Sequence, residues 1–221
     1  MSGFGRWNRP ANSDLKMNWR EVGYCVIDLE TTGLDFKKDE IISIGGVQIQ
    51  SGRIIAEANY YQEVRPKQIP SPSSIRVHGI RTVDLESAPP IEVVLPEFAD
   101  RLRGRVVIAH AAWVESAFLE DRLQELNLDF SRRLIDTAGL ARFCGVVDVD
   151  LDHEPSLEYL AKTLDLPVYS PHHALGDAMT TAIIFLALAT KLESIKREKR
   201  GSVLTLKELL KASEKSARTQ W

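Results

Sequence analysis

Cysteine is scarce in this chain. Cys25 and Cys144 are the only two in 221 residues, and two thiols this far apart do not make the disulfide framework of a small secreted domain. Long apolar runs are lacking as well. The longest strongly apolar stretch, 182–189, falls well short of the roughly 20 residues that a membrane-spanning helix needs, and the N-terminus carries no signal-peptide pattern. No internal repeat or low-complexity tract appears. These absences point to a cytoplasmic protein without a membrane partner, and the length suits one domain with extensions.

A formal net charge of −3 conceals an uneven distribution. Residues 1–20 carry a net +3 and residues 191–221 a net +5, which leaves −11 for the stretch between them. An acidic centre with basic ends divides the chain into a flexible basic N-terminal extension (1–20), a central domain (21–192) and a basic C-terminal extension (193–221). Such a centre attracts nucleic acid poorly until bound cations offset its charge. The extensions either add phosphate affinity or are solvated tails, and the second reading is favoured for residues 1–20.

Hydrophobic patterning places strands near 23–29, 40–49 and 53–63, with a Ser51-Gly52 turn that pairs the second and third antiparallel. A helical or irregular stretch covers 73–86. Helices follow near 91–103 and 113–126, separated by a short buried strand at 106–109. A fifth strand at 134–135 precedes helices at 137–143, 156–164 and 173–192. In the C-terminal extension, Thr205-x-x-Glu208 is a capping-box pattern, and Leu206, Leu209 and Leu210 form the apolar stripe of a short amphipathic helix. That helix either packs back on the domain, the favoured reading, or docks a partner.

Within this frame, Asp28 and Glu30 stand two residues apart at the end of the first strand, so their side chains share one face. Unpaired, they repel each other; hard divalent cations with oxygen ligands relieve that cost. Acids facing solvent at a strand end are the plain alternative. Far downstream, Pro171-His172-His173-Ala174-Leu175-Gly176-Asp177 opens the long apolar helix and supplies a third carboxylate, with a histidine five residues ahead of it.

Asp28-x-Glu30-Thr31-Thr32-Gly33 followed by His172-x-Ala174-x-x-Asp177 resembles the DEDDh family of 3′–5′ exonucleases, whose members include the proofreading (epsilon) subunit of bacterial DNA polymerase III. The intervening segments are similar too: Val64-Arg65-Pro66, Val77-His78-Gly79-Ile80, Ile135-Asp136-Thr137 and Ser156-Leu157-Glu158-Tyr159 occur in the family's order. The resemblance covers roughly residues 22–190. It implies an α/β fold, an RNase H-like mixed five-stranded sheet flanked by helices. It also implies two divalent metal ions, Mg²⁺ or Mn²⁺, with Asp28, Glu30, Asp177 and a fourth acid as ligands and His172 as general base. By the same resemblance, Thr31, Thr32 and Gly33 present backbone and hydroxyls to the terminal nucleotide and His78 touches it. The substrate so implied is the 3′ end of a single-stranded nucleic acid, DNA or RNA with DNA favoured, degraded to 5′-nucleoside monophosphates. A DNA polymerase or another replication or repair protein is the partner suggested.

One motif departs from the family. Where its members read His-Asn-Ala-x-Phe-Asp, this chain reads His110-Ala111-Ala112-Trp113-Val114-Glu115. Glu115 takes the aspartate's place with the same charge and about 1.5 Å more reach. Asp121 is a rival fourth acid, out of register by almost two turns. Trp113 either stacks a base, as aromatic faces do for single strands, or covers the core, while His110 and His173 read as structural. An active enzyme is the favoured reading. Its rival is a weak or inactive nucleic-acid-end-binding or polymerase-docking module that keeps the fold. A separate metal site among Asp148, Asp150, Asp152, His153 and Glu154 is a weaker third reading, since such a loop is more often solvated.

Overall fold

The computed structural model describes residues 14–128, 134–148 and 153–216. Its centre is a mixed five-stranded sheet of β1 (Tyr24–Thr31), β2 (Ile41–Gln50), β3 (Arg53–Glu63), β4 (Val106–Ala109) and β5 (Ile135–Asp136), in the spatial order β3-β2-β1-β4-β5. The first three strands form an antiparallel meander, and β4 and β5 join β1 in parallel. Ser51 (φ 53°) and Gly52 (φ 68°) both adopt left-handed backbone between β2 and β3, the turn whose twist matches that of paired strands.

Position in the sheet explains the composition of β1. Tyr24 and Val26 face one hydrophobic cluster, while Cys25 and Ile27 face the other. A strand covered on both faces is apolar throughout, so the alternation that marks a half-exposed strand is missing until Asp28. One face is covered by α2 (Ile91–Leu102) and α3 (Trp113–Glu125). The other carries α4 (Thr137–Phe143), α5 (Leu157–Thr163), α6 (Ala174–Arg200) and α7 (Leu206–Ser216). The stretch expected to be helical or irregular at 73–86 resolves into α1 (Pro72–His78), capped by Ser71 and ended by left-handed Gly79, and a 3₁₀ turn at Thr82–Leu85.

Three expectations are corrected. Helix α6 runs to Arg200, past the expected end at 192, and stops at left-handed Gly201. Its last turns are rich in Lys, Arg and Glu, which end the apolar pattern yet are good helix formers. By length and composition, Ala174–Lys199 is also able to span a bilayer. Instead, Ala178, Ala182, Phe185 and Leu188 are wholly buried in the core.

The boundaries drawn from charge also fall elsewhere. Residues 14–20 are packed on the domain and are no free extension: Trp19 has no exposed surface and meets Phe185 edge-on at 5.9 Å. Arg20 lies over the Trp19 ring and pairs with Glu193 at 2.9 Å. At the other end, α7 folds back as favoured, and so tightly that it belongs to the core. Leu206, Leu209 and Leu210 are buried among residues of α4 and α6, and Glu208 reaches back to the Thr205 N–H at 2.9 Å. Lys207 and Lys211 are exposed on this helix, and their charge says nothing about its buried stripe. That stripe is worth several kcal/mol, at about 1.5–3 kcal/mol for each buried aliphatic side chain.

Candidate active site

The carboxylates converge because β2 lacks a side chain at one position. Gly45 is the neighbour of Asp28 across the β1–β2 pair. A Cβ there would lie 2.2 Å from the carbonyl carbon and oxygen of Ala174. The bare backbone therefore lets the first turn of α6 settle onto the sheet beside Asp28, carrying Asp177 with it. Gly176 makes a second close approach, since a Cβ on it would stand 2.4 Å from the Tyr169 carbonyl oxygen and 2.5 Å from that of Ser170. The loop before α6 is thus pressed against the helix, and the Tyr169 N–H to Thr180 Oγ1 bond at 3.0 Å fixes it.

Asp28, Glu30 and Asp177 each offer a carboxylate oxygen, and the three atoms lie within 4.8 Å of one another. All three residues are partly buried. Burial, then the charges of Glu115, Glu30 and Asp177, holds Asp28 well above the usual carboxylate range. Burial and the charge of Asp177 push Glu30 up to about 7. Asp177 rises to about 6, mainly through burial, although the His172 N–H donates to its Oδ2 at 3.0 Å.

Glu115, on α3, lies outside that 4.8 Å cluster but near enough for its charge to act on Asp28. It is 5% exposed, and its Oε2 is buried without a hydrogen-bond partner. Burial chiefly, with the charges of Asp136 and Glu30, pushes it up to about 8. Among the described residues, no lysine or arginine pairs with any of these four acids. An orphaned buried oxygen beside three clustered carboxylates is an arrangement that hard, oxygen-seeking cations such as Mg²⁺ or Mn²⁺ fit, and a soft metal does not. Asp121, the rival acid, faces a separate cleft lined by Phe36, Lys37 and Arg122.

His172 occupies a left-handed conformation (φ 60°), half exposed, with its Nε2 3.8 Å from Glu158 Oε1. His173 instead stacks on Tyr61 at 4.4 Å, a packing role. His78 lies where the charge of His172 acts on it, and burial lowers its pKa; its Nδ1 accepts the Ile80 N–H at 3.0 Å. His110 is held at both ring nitrogens, by Thr137 Oγ1 at 2.9 Å and the Pro155 carbonyl at 2.7 Å, and is structural.

The Thr31-Thr32-Gly33 turn serves itself more than expected. Thr32 is 1% exposed and its hydroxyl donates to Asp39 Oδ1 at 2.8 Å, so it is not presented outward. The Thr31 hydroxyl donates to the Gly33 carbonyl at 2.7 Å. A Cβ on Gly33 would fall 2.4 Å from the Asp39 carboxylate, so the glycine makes room for Asp39. Trp113 packs edge-on against Phe36 at 5.8 Å, with its Nε1 buried and unpartnered. In the acidic loop considered as a second metal site, Glu154 pairs with buried Arg142 at 2.5 Å, while Asp150 and Asp152 lie outside the described residues. Gly45 was missed from the sequence because it acts only through the approach of α6 to β2, and Asp39 because its hold on Thr32 depends on the loop closing back on itself.

A mixed sheet with acids gathered at the end of its central strand defines a class of nucleic-acid-cleaving enzyme, and comparison with known proteins agrees. The exonuclease family of RNase T type matches residues 25–185, and the chain belongs to that family. A PolC-type DNA polymerase III of Thermotoga petrophila is 34% identical over 200 residues, 90% of this chain and 14% of the polymerase. The 3′-5′ exonuclease DinG of Staphylococcus haemolyticus is 30% identical over 175 residues, 79% of this chain and 19% of that protein. The chain therefore spans a small part of these relatives. Among solved structures, Exonuclease X in complex with 5′ overhanging duplex DNA superposes with a TM-score of 0.61 at 24% identity, covering 86% of this chain and 99% of that one. Escherichia coli Exonuclease I with a dA16 oligonucleotide gives 0.64 at 15% identity, over 77% of this chain and 41% of its own. These two likenesses bear out the RNase H-like fold.

Proposed function

We propose that the chain is a metal-dependent 3′–5′ exonuclease that removes 5′-nucleoside monophosphates from the 3′ end of single-stranded nucleic acid, DNA in preference to RNA. The observation that carries this reading is the convergence of Asp28, Glu30 and Asp177 oxygens within 4.8 Å, beside the unpartnered Oε2 of Glu115. These four residues would hold two divalent ions, Mg²⁺ or Mn²⁺. The ions would supply an activated water and charge neutralisation at the departing oxygen.

The side chains do the remaining work. His172 takes the proton of the attacking water on its imidazole as general base. Its backbone N–H, bonded to Asp177 Oδ2, ties the loop that carries the base to an acid of the site. Thr31 and Gly33 through their backbone, with His78 and Trp113, form the seat of the terminal nucleotide. The DNA preference is supported by the PolC-type DNA polymerase III relatives, and a polymerase or other replication or repair protein is the corresponding partner.

A gel assay with 5′-labelled DNA and RNA of one sequence, in Mg²⁺, Mn²⁺ or EDTA, tests the reading. A ladder shortening from the 3′ end is expected with either metal, faster on DNA, and absent with EDTA or with Asp28→Ala. Folded wild-type protein that shortens neither strand would refute it in favour of an end-binding or polymerase-docking module.

A further inference from the structure

Helix α7 lies beyond residue 185, where the family match ends, yet it touches the framework of the site. Ser213 is a polar residue of this helix with 1% of its surface exposed. Its Oγ accepts the Asp136 N–H at 2.7 Å and donates to the Asp136 carbonyl oxygen at 3.4 Å. Residue 136, the last of β5, is thereby clamped on both its peptide groups from a helix 77 residues away in sequence.

Asp136 passes this anchorage on. Its Oδ1 accepts the Ala138 N–H at 2.9 Å, and the Ala111 N–H lies near enough to its carboxylate to oppose the rise in pKa that burial causes. Across the β4–β5 pair it stands opposite Ala109, and the next residue, Thr137, holds His110 at its Nδ1 at 2.9 Å. Ala111 has left-handed backbone (φ 50°), and its carbonyl accepts the Val114 N–H at 2.9 Å. The turn so held launches α3, whose first turn bears Glu115.

We infer that Ser213 is a positioning residue of the active site, fixing the carboxylate of Glu115 against Asp28 through Asp136 and the Ala111 turn. Helix α7 is then part of the catalytic architecture of this chain as well as of its core. Without the serine hydroxyl the buried Asp136 N–H loses its partner, and a buried donor does not stay unpaired without local adjustment. That adjustment reaches Glu115 through the Asp136 peptide, the His110–Thr137 contact and the turn at Ala111. The inference rests on the reading of Glu115 as a metal ligand.

The test is a Mn²⁺ titration followed by thermal unfolding, with kcat and KM on a DNA oligonucleotide, for wild type, Ser213→Ala, Leu209→Ala, Glu115→Gln and the Ser213→Ala/Glu115→Gln double variant. Leu209 is fully buried in α7 and touches the core without bonding Asp136, so its truncation lowers stability alone. Ser213→Ala is expected to raise the half-saturating Mn²⁺ concentration roughly tenfold, the lower end for residues that orient metal ligands, and to lower kcat with KM unchanged. Leu209→Ala is expected to keep the wild-type Mn²⁺ midpoint, and Ser213→Ala to add nothing in the Glu115→Gln background. The inference fails if Ser213→Ala keeps the wild-type midpoint, or if Leu209→Ala moves it equally. A wild type that Mn²⁺ does not stabilise sinks the metal reading itself.

Discussion

Glu115 gives the sharpest quantitative test. It is 5% exposed, has one oxygen with no partner, and is pushed up from 4.5 to about 8. At pH 7 the folded chain holds this carboxyl protonated while the unfolded chain ionises it. The interval from 4.5 to neutrality, at about 1.4 kcal/mol per pH unit, makes folding with Glu115 cost up to about 3 kcal/mol. Glutamine has nearly the same shape and no such cost. In EDTA at pH 7, Glu115→Gln is therefore expected to stabilise the protein by up to about 3 kcal/mol, or roughly 6–12 °C in Tm for a chain of this size. The sign with pH follows from the raised value. The native state binds the extra proton, so wild-type stability is lost as pH rises from about 4.5 through about 8. The gain in the variant should accordingly shrink to under about 1 kcal/mol at pH 5. Saturating Mn²⁺ should reverse the order, stabilising wild type more than the variant. Thermal unfolding at the two pH values, with and without metal, reads all of this. A gain that is absent at pH 7 in EDTA, or equal at both pH values, would refute the picture of a buried and unpaired acid.

Three further outcomes are expected. Apparent Mn²⁺ affinity, read from the metal-induced shift in Tm, should rise between pH 5.5 and 7.5, because Glu30 at about 7 and Asp177 at about 6 must release their protons to bind a cation; flat affinity across that window contradicts it. Gly45→Ala should lower stability by about 1–3 kcal/mol or more and reduce activity, because the new Cβ meets Ala174 at 2.2 Å; an unchanged urea midpoint would show that α6 does not sit there. Ala111→Gly should raise stability by roughly 0.5–1 kcal/mol, since alanine at φ 50° is strained; a loss in urea unfolding would count against that strain.

Much of this architecture is legible in the sequence, for definite reasons. Asp28 and Glu30 interrupt an apolar strand, and acids in that place stand out whatever the rest of the chain does. Asp177 and His172 are readable by their spacing, and Glu115 by the flanking Ala109-His110 and Phe118-Leu119. The antiparallel pairing of β2 and β3 follows from the tight Ser51-Gly52 turn, while the mixed five-stranded sheet is implied by the family resemblance. Other features depend on approaches between distant segments. That Gly45 is a seat for α6, or that Gly33 yields space to Asp39, has no local signature. Charge misleads at both ends, since Trp19 and the Leu206-Leu209-Leu210 stripe bury themselves beneath basic surfaces. The reading of Thr32 as an outward hydroxyl fails because Asp39, seven residues on, captures it.

The close fit of Ala174 over Gly45 bears on how the protein becomes competent. One pair of site acids lies on β1 and another member arrives on α6, almost 150 residues later in the chain. The helix that delivers it also fills the core beneath the sheet. Docking of α6 therefore both brings Asp177 to the candidate site and fills the core. A partly folded chain, in which α6 is still undocked, holds Asp28 and Glu30 without Asp177. On the proposed reading, a chain in that state lacks one ligand of its metal site.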